Sequence, residues 1–248
     1  MKRFIAFSLL LNAALLGVIA WQLATDNHNT DGQAYAADKD EIFRHMSIVY
    51  MPTDDKGGKA KTIRFSGVNV QIVNGKNKTE ELNGLGNLIV GYQERRTEDL
   101  SGHDGPGITV ATNSRIGSHN LVVGKENNYS KWGGQVVGYR NTISGEYSTV
   151  SGGMKNTASG YCSTVGGGRM NRAGRGATVS GGYVNRAVGY VSTVSGGKGN
   201  TASHEGATVG GGSMNEAKEF NSTVSGGWKN KALGFASTVI GGEGKTAN

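Results

Sequence analysis

The sequence predicts an all-β protein whose body is a single-stranded parallel β-solenoid, or β-roll, of 14–15-residue coils. Three observations predict it. The last hundred residues repeat one pattern seven times, beginning STVSGGMKNTASGYC at Ser148 and ending STVIGGEGKTAN. The anchor valines (Val150, Val165, Val179, Val194, Val209, Val224 and Val239) are separated by steps of 15, 14, 15, 15, 15 and 15 residues. An asparagine follows six residues after each of the first six, at Asn156, Asn171, Asn185, Asn200, Asn215 and Asn230. A period this short holds one coil of strand and turn and has no room for two packed helices.

Composition agrees. The chain has 248 residues with 42 glycines, two prolines and one cysteine, and the glycines sit at fixed places in the repeat. That placement fits tight turns needing positive φ and argues against low complexity. A lone Cys162 excludes an intrachain disulfide, and its variable position before a repeat reads as a small filler. Residues 105–248 balance to +8, with fourteen Lys/Arg, six Glu and no Asp, whereas residues 1–104 balance to −1. The basic excess would attract polyanions. Along the chain these charges are scattered at variable repeat positions, which reads as a solvated surface with no specific nucleic-acid partner.

Taken in order, residues 1–24 form an export signal. Lys2 and Arg3 precede a 21-residue apolar stretch, Phe4–Ala24. It is either cleaved, after Ala20 or Ala36, or retained as a membrane anchor; that anchor is the chain's only predicted membrane contact. The expected location is outside the bacterial cytoplasm: secreted, periplasmic or on the cell surface. Residues 25–61 read as a polar linker with a short apolar run at Ile48–Met51 and a turn-forming DDKGGKAK. Residues 62–147 read as an N-terminal cap with degenerate coils. In it, Thr62–Asn74 alternates as a capping strand with a bulge at Gly67, since an open coil end is an exposed edge. Residues 93–117 (QERRTEDLSGHDGPG and its flanks) break the period and read as an inserted loop. Residues 148–248 are the regular coils.

Within one coil, alternation points Val150 inward and Thr149 outward, and the second half points Asn156 and Ala158 inward. The coil is thus expected to have two short strands joined by glycine turns. The structural core is then the valine column and the asparagine column, with each Asn bonding turn backbone. The threonines Thr149, Thr164, Thr178, Thr193, Thr208, Thr223 and Thr238 form an uncharged outer ladder at roughly 4.8 Å per coil. That ladder is the candidate interface with another chain. The opposite ladder (Thr157, Arg172, Arg186, Thr201, Glu216, Lys231, Thr246) is mixed and suits water.

The cadence SxVxG…NxAxG, as in Ser148-Thr149-Val150-Ser151-Gly152 and Asn156-Thr157-Ala158-Ser159-Gly160, resembles the YadA-like head repeats of trimeric autotransporter adhesins. The likeness covers about 118–248 and, more weakly, 84–92. It implies a left-handed parallel β-roll that self-associates as a homotrimer and meets extracellular matrix or polysaccharide. No heptad stalk and no membrane strands accompany the repeats in this sequence, so the expectation is a stand-alone, exported, adhesin-head-like protein.

No enzyme and no cofactor are expected. Gly244-Lys245-Thr246 fails as a phosphate loop because the position five before Gly244 is Val239. Calcium-binding repeats need a recurrent Asp, and the histidines (His28, His45, His103, His119, His204) do not recur in register, which excludes a metal ladder. His103-Asp104 reads as polar loop. The alternative function is ice binding, since threonine-ladder β-rolls with short repeats are an antifreeze design that this chain also resembles.

Overall fold

The computed structural model describes residues 39–96 and 113–248. The expected export signal at 1–24 lies outside the described residues, as do residues 25–38 of the expected linker and residues 97–112 of the expected inserted loop. The chain divides into two compact units, one ending at Val70 and one running from Gln71 to Asn248.

The described part of the first unit opens with helix α1, Lys39–Arg44, with Asp40 and Glu41 in its first turn and Arg44 in its last. That charge order complements the helix dipole. Strands β1, Met46–Pro52, and β2, Lys59–Phe65, then pair antiparallel. Asp54 closes their turn by accepting hydrogen bonds from the backbone N–H of Lys56 and Gly58, at 3.0 and 2.9 Å. The apolar run in the expected linker is therefore a strand. The expected capping strand pairs with it through Phe65, and the two make a separate two-stranded sheet.

The second unit is the solenoid. A ten-stranded parallel sheet runs from Leu88–Val90 to Thr238–Val239, and a nine-stranded one from Asn128–Tyr129 to Thr246–Ala247. A third line of single bridges joins Tyr139, Met154, Arg169, Tyr183, Lys198, Ser213, Trp228 and Glu243. Register is one residue per coil: Val150 pairs with Val165, Val165 with Val179, and so on to Val239. Side-chain hydrogen bonds tie the first coil to residues 74–83. Ser118 Oγ donates to the carbonyls of Thr79 and Glu81, and Asn74 Nδ2 donates to those of Lys78 and Glu81.

The core is two stacked columns. One is Val122, Val136 and the seven anchor valines, all fully buried except Val239, which is nearly so. The other begins with Tyr129 and Ile143 and continues as alanines from Ala158 to Ala232. A single coil thus buries one Val and one Ala, worth about 3 kcal/mol of transfer free energy at most. No coil can offset its own ordering entropy, and stability comes from stacking.

The turns match the expected glycine turns in part. Each coil turns at a positive-φ glycine, in the column Gly153, Gly168, Gly182, Gly197, Gly212, Gly227 and Gly242, and at two further left-handed corners, most of which hold residues with a side chain. One column is Lys155, Met170, Val184, Gly199, Met214, Lys229 and Gly244. The other is Tyr147, Cys162, Gly176, Val191, Gly206, Asn221 and Ala236. At each, the backbone N–H donates to the preceding coil, as from Val184 to the Arg169 carbonyl at 3.0 Å and from Cys162 to the Glu146 carbonyl at 2.9 Å. These inter-coil bonds offset the steric cost of the left-handed conformation.

Candidate functional site

The asparagine column is a continuous polar spine. Asn156, Asn171, Asn185, Asn200, Asn215 and Asn230 are all at most 1 % exposed. Each uses the amide fully. In Asn185 the backbone N–H donates to Asn171 Oδ1 at 2.9 Å, and Nδ2 donates to the carbonyls of Gly181 and Gly197 at 2.8 and 2.9 Å. Its own Oδ1 accepts from the N–H of Asn200. Asparagine supplies two donors and an acceptor at the one length that reaches both coils.

The spine extends further than the repeat made visible. Asn127 and Asn141 belong to it, and Gln93 starts it, its Oε1 accepting from Asn127 N–H and its Nε2 donating to the Gly124 carbonyl. At the other end Lys245 occupies the position, and Asn230 Oδ1 still accepts its backbone N–H at 2.8 Å. Gln93 was hidden because it is a different residue type at the edge of the insert. The insert's two flanks meet: Arg96 N–H donates to Asn113 Oδ1 at 2.8 Å, and Asn113 Nδ2 donates back. Arg96 also donates to the carbonyls of Glu126 and Asn141, and Arg115 to those of Gln93, Glu94 and Asn127. Two arginines thus tie the base of the insert to the first coils. Arg115 lies near Tyr129, whose phenol pKa burial raises and that arginine partly restores.

The threonine ladder is in strict register, Thr149 to Thr164 to Thr178 to Thr193 to Thr208 to Thr223 to Thr238. These side chains are half-buried, with Thr238 exposed. Outside them runs an exposed column of Ser151, Gly166, Ser180, Ser195, Gly210, Ser225 and Ile240. No charge interrupts this face.

Beside it lies a feature the repeat alone did not explain. Each coil has a glycine pair, and its second member needs to be glycine for reasons inside the chain. Gly182 has φ +90°, and a Cβ there would collide with the Gly197 carbonyl oxygen. The first members (Gly152, Gly167, Gly181, Gly196, Gly211, Gly226, Gly241) all have open space where a Cβ would stand. Five of the seven, Gly196 and Gly211 excepted, are not at positive φ. Nothing within the chain requires glycine at those five places.

The mixed ladder pairs Arg172 with Arg186, Thr201 with Glu216, and Glu216 with Lys231. Lys218 at 2.8 Å, and secondarily Lys231 at 3.4 Å, hold the Glu216 carboxyl below its ordinary pKa. Cys162 is exposed. Among the described residues no cluster of His, Cys, Asp or Glu is placed to hold a metal ion.

Residues 148–160, one repeat, match the family described as ubiquitous surface protein adhesin repeat. No curated protein matches the chain. The matched repeat recurs through the solenoid, and match and fold together are consistent with the YadA-like head repeats of trimeric autotransporter adhesins. They support an adhesin-like structural role.

Proposed function

We propose that the protein is an exported, non-enzymatic surface protein whose coils self-associate, as a homotrimer, through the threonine face and the glycine column beside it. The observation that carries this reading is the row of first glycines. Seven successive coils keep a residue without a side chain where the chain itself leaves room for one, at the edge of an uncharged ladder. Close approach of a second backbone accounts for both, as small residues do wherever backbones pack tightly. The match to a surface-adhesin repeat supports a location on the bacterial exterior, with matrix or polysaccharide as the class of target.

Light scattering over a wide concentration range tests it. A stable mass of three chains is expected, and the double substitution Gly167→Leu/Gly181→Leu should lower that mass without lowering the thermal midpoint of the single chain. A monomer at every concentration would overturn self-association. The threonine face would then be left open, and ice binding, read as thermal hysteresis, becomes the test of the alternative.

A further inference from the structure

The basic residues that look scattered along the chain are gathered by the coil. Residues 163–204 contain five Lys/Arg and no Asp or Glu. Four of the five fall on one corner. Arg169, Tyr183 and Lys198 are consecutive rungs of the single-bridge line, and Arg172 and Arg186 are directly paired in the nine-stranded sheet. The two ladders flank the buried column of Asn171, Asn185 and Asn200, three residues apart across the corner. Arg175, the fifth, lies elsewhere on the coil and covers the Tyr190 ring at 5.4 Å.

This corner is electrostatically incomplete. None of Arg169, Arg172, Arg186 and Lys198 forms an ion pair among the described residues, whereas Lys231 in the same sheet is neutralised by Glu216. Like charges directly opposite in adjacent strands oppose folding, yet Arg172 and Arg186 stand so. Thr157 and Thr201 occupy the same register on either side, so the fold does not ask for arginine there. Arg169 Nε is buried and lacks an acceptor.

We propose that this corner binds a linear anionic polysaccharide, whose sulfate or carboxylate groups are taken by the guanidinium forks of Arg169, Arg172 and Arg186 and by Lys198. The proposal deepens, and rests on, the surface-protein reading above. A stiff chain laid along the solenoid axis meets a new cation at each coil, every ~4.8 Å, and planar guanidinium groups suit planar or tetrahedral oxyanions. A nucleic acid is the poorer fit. Within residues 163–204 both tyrosine rings already lie under arginines, Tyr183 under Arg169 at 5.7 Å and Tyr190 under Arg175 at 5.4 Å, which leaves neither bare for bases to stack on.

The test titrates heparin into the full-length protein at about 0.1 M salt, with duplex DNA of equal charge as competitor. Arg172→Thr/Arg186→Thr is the main variant, because threonine is native to that ladder, and Lys198→Ser is a second, because Ser213 is native to the other. Heparin should bind the wild type, bind the double variant roughly fivefold to tenfold more weakly, and resist displacement by DNA. Light scattering on the same samples should show an unchanged mass, which separates loss of this site from failure of self-association. No heparin binding, binding by the variants as tight as that of the wild type, or equal displacement by DNA would each overturn the proposal.

Discussion

The backbone N–H of Asn185 donates to Asn171 Oδ1 at 2.9 Å, and that one bond locks the register of two successive coils. Because the same amide also donates to Gly181 and Gly197, the side chain fixes its own turn and the next coil's turn together. Asn185→Ala leaves the Asn200 N–H buried without its acceptor and deprives two carbonyls of a donor. A loss of about 3 kcal/mol is expected by urea unfolding. Asn230→Ala, one coil from the end, should cost less, because its loss frays only the terminal stack.

Val184 stands at φ +57° in a corner where neighbouring coils carry Gly199 or flexible Met170. A β-branched residue in the left-handed region is strained. Val184→Asn keeps the corner at lower steric cost and without glycine's loss of entropy. It should stabilise the solenoid by about 1 kcal/mol, seen as a higher thermal midpoint. An unchanged or lower midpoint would mean that Val184 packing outweighs its strain.

Glu216 gives the protein a pH signature. Its folded pKa is held below the ordinary 4.5, first by the hydrogen bond from Lys218. A depressed carboxylate contributes stability that is present above the unfolded pKa and is lost as pH falls through the folded one. Glu216→Gln should therefore be slightly less stable than wild type at pH 7, with the two curves converging as pH falls through the folded pKa, below the ordinary carboxylate range. The side chain is partly exposed, so the gap should also shrink in high salt.

The parts of the fold that repeat were legible in the sequence, and the parts that depend on which coils touch were not. Val150 and Asn156 recur at fixed spacing, so their columns and the threonine ladder could be read from period and alternation alone. The left-handed corners at Lys155 and Cys162 were hidden because their residue types vary; backbone bonds to the neighbouring coil set them. The hairpin of Met46–Pro52 with Lys59–Phe65 was missed because 46–52 is too short to stand out and its partner lies across a polar turn. The basic corner was missed for a related reason. Arg169, Arg172, Arg186 and Lys198 are irregularly spaced in sequence, and only the stacking of 14- and 15-residue coils aligns them.

Two adjacent glycines separate the demands of folding from those of assembly. Gly182 sits at φ +90° with the Gly197 carbonyl oxygen in the place of a Cβ. Gly182→Ala must therefore shift one coil against the next, at a cost of more than about 2 kcal/mol. Gly181, one residue earlier, is not at positive φ and has open space for a methyl group. There the same substitution restricts the unfolded chain and should stabilise the single chain by about 0.5 kcal/mol. If a second chain packs on this column, Gly181→Ala should also weaken association, so that the single-chain midpoint rises while the oligomer dissociates at higher concentration. A rise in both would place the subunit contact on another face and leave the glycine column to be explained by something other than a neighbouring chain.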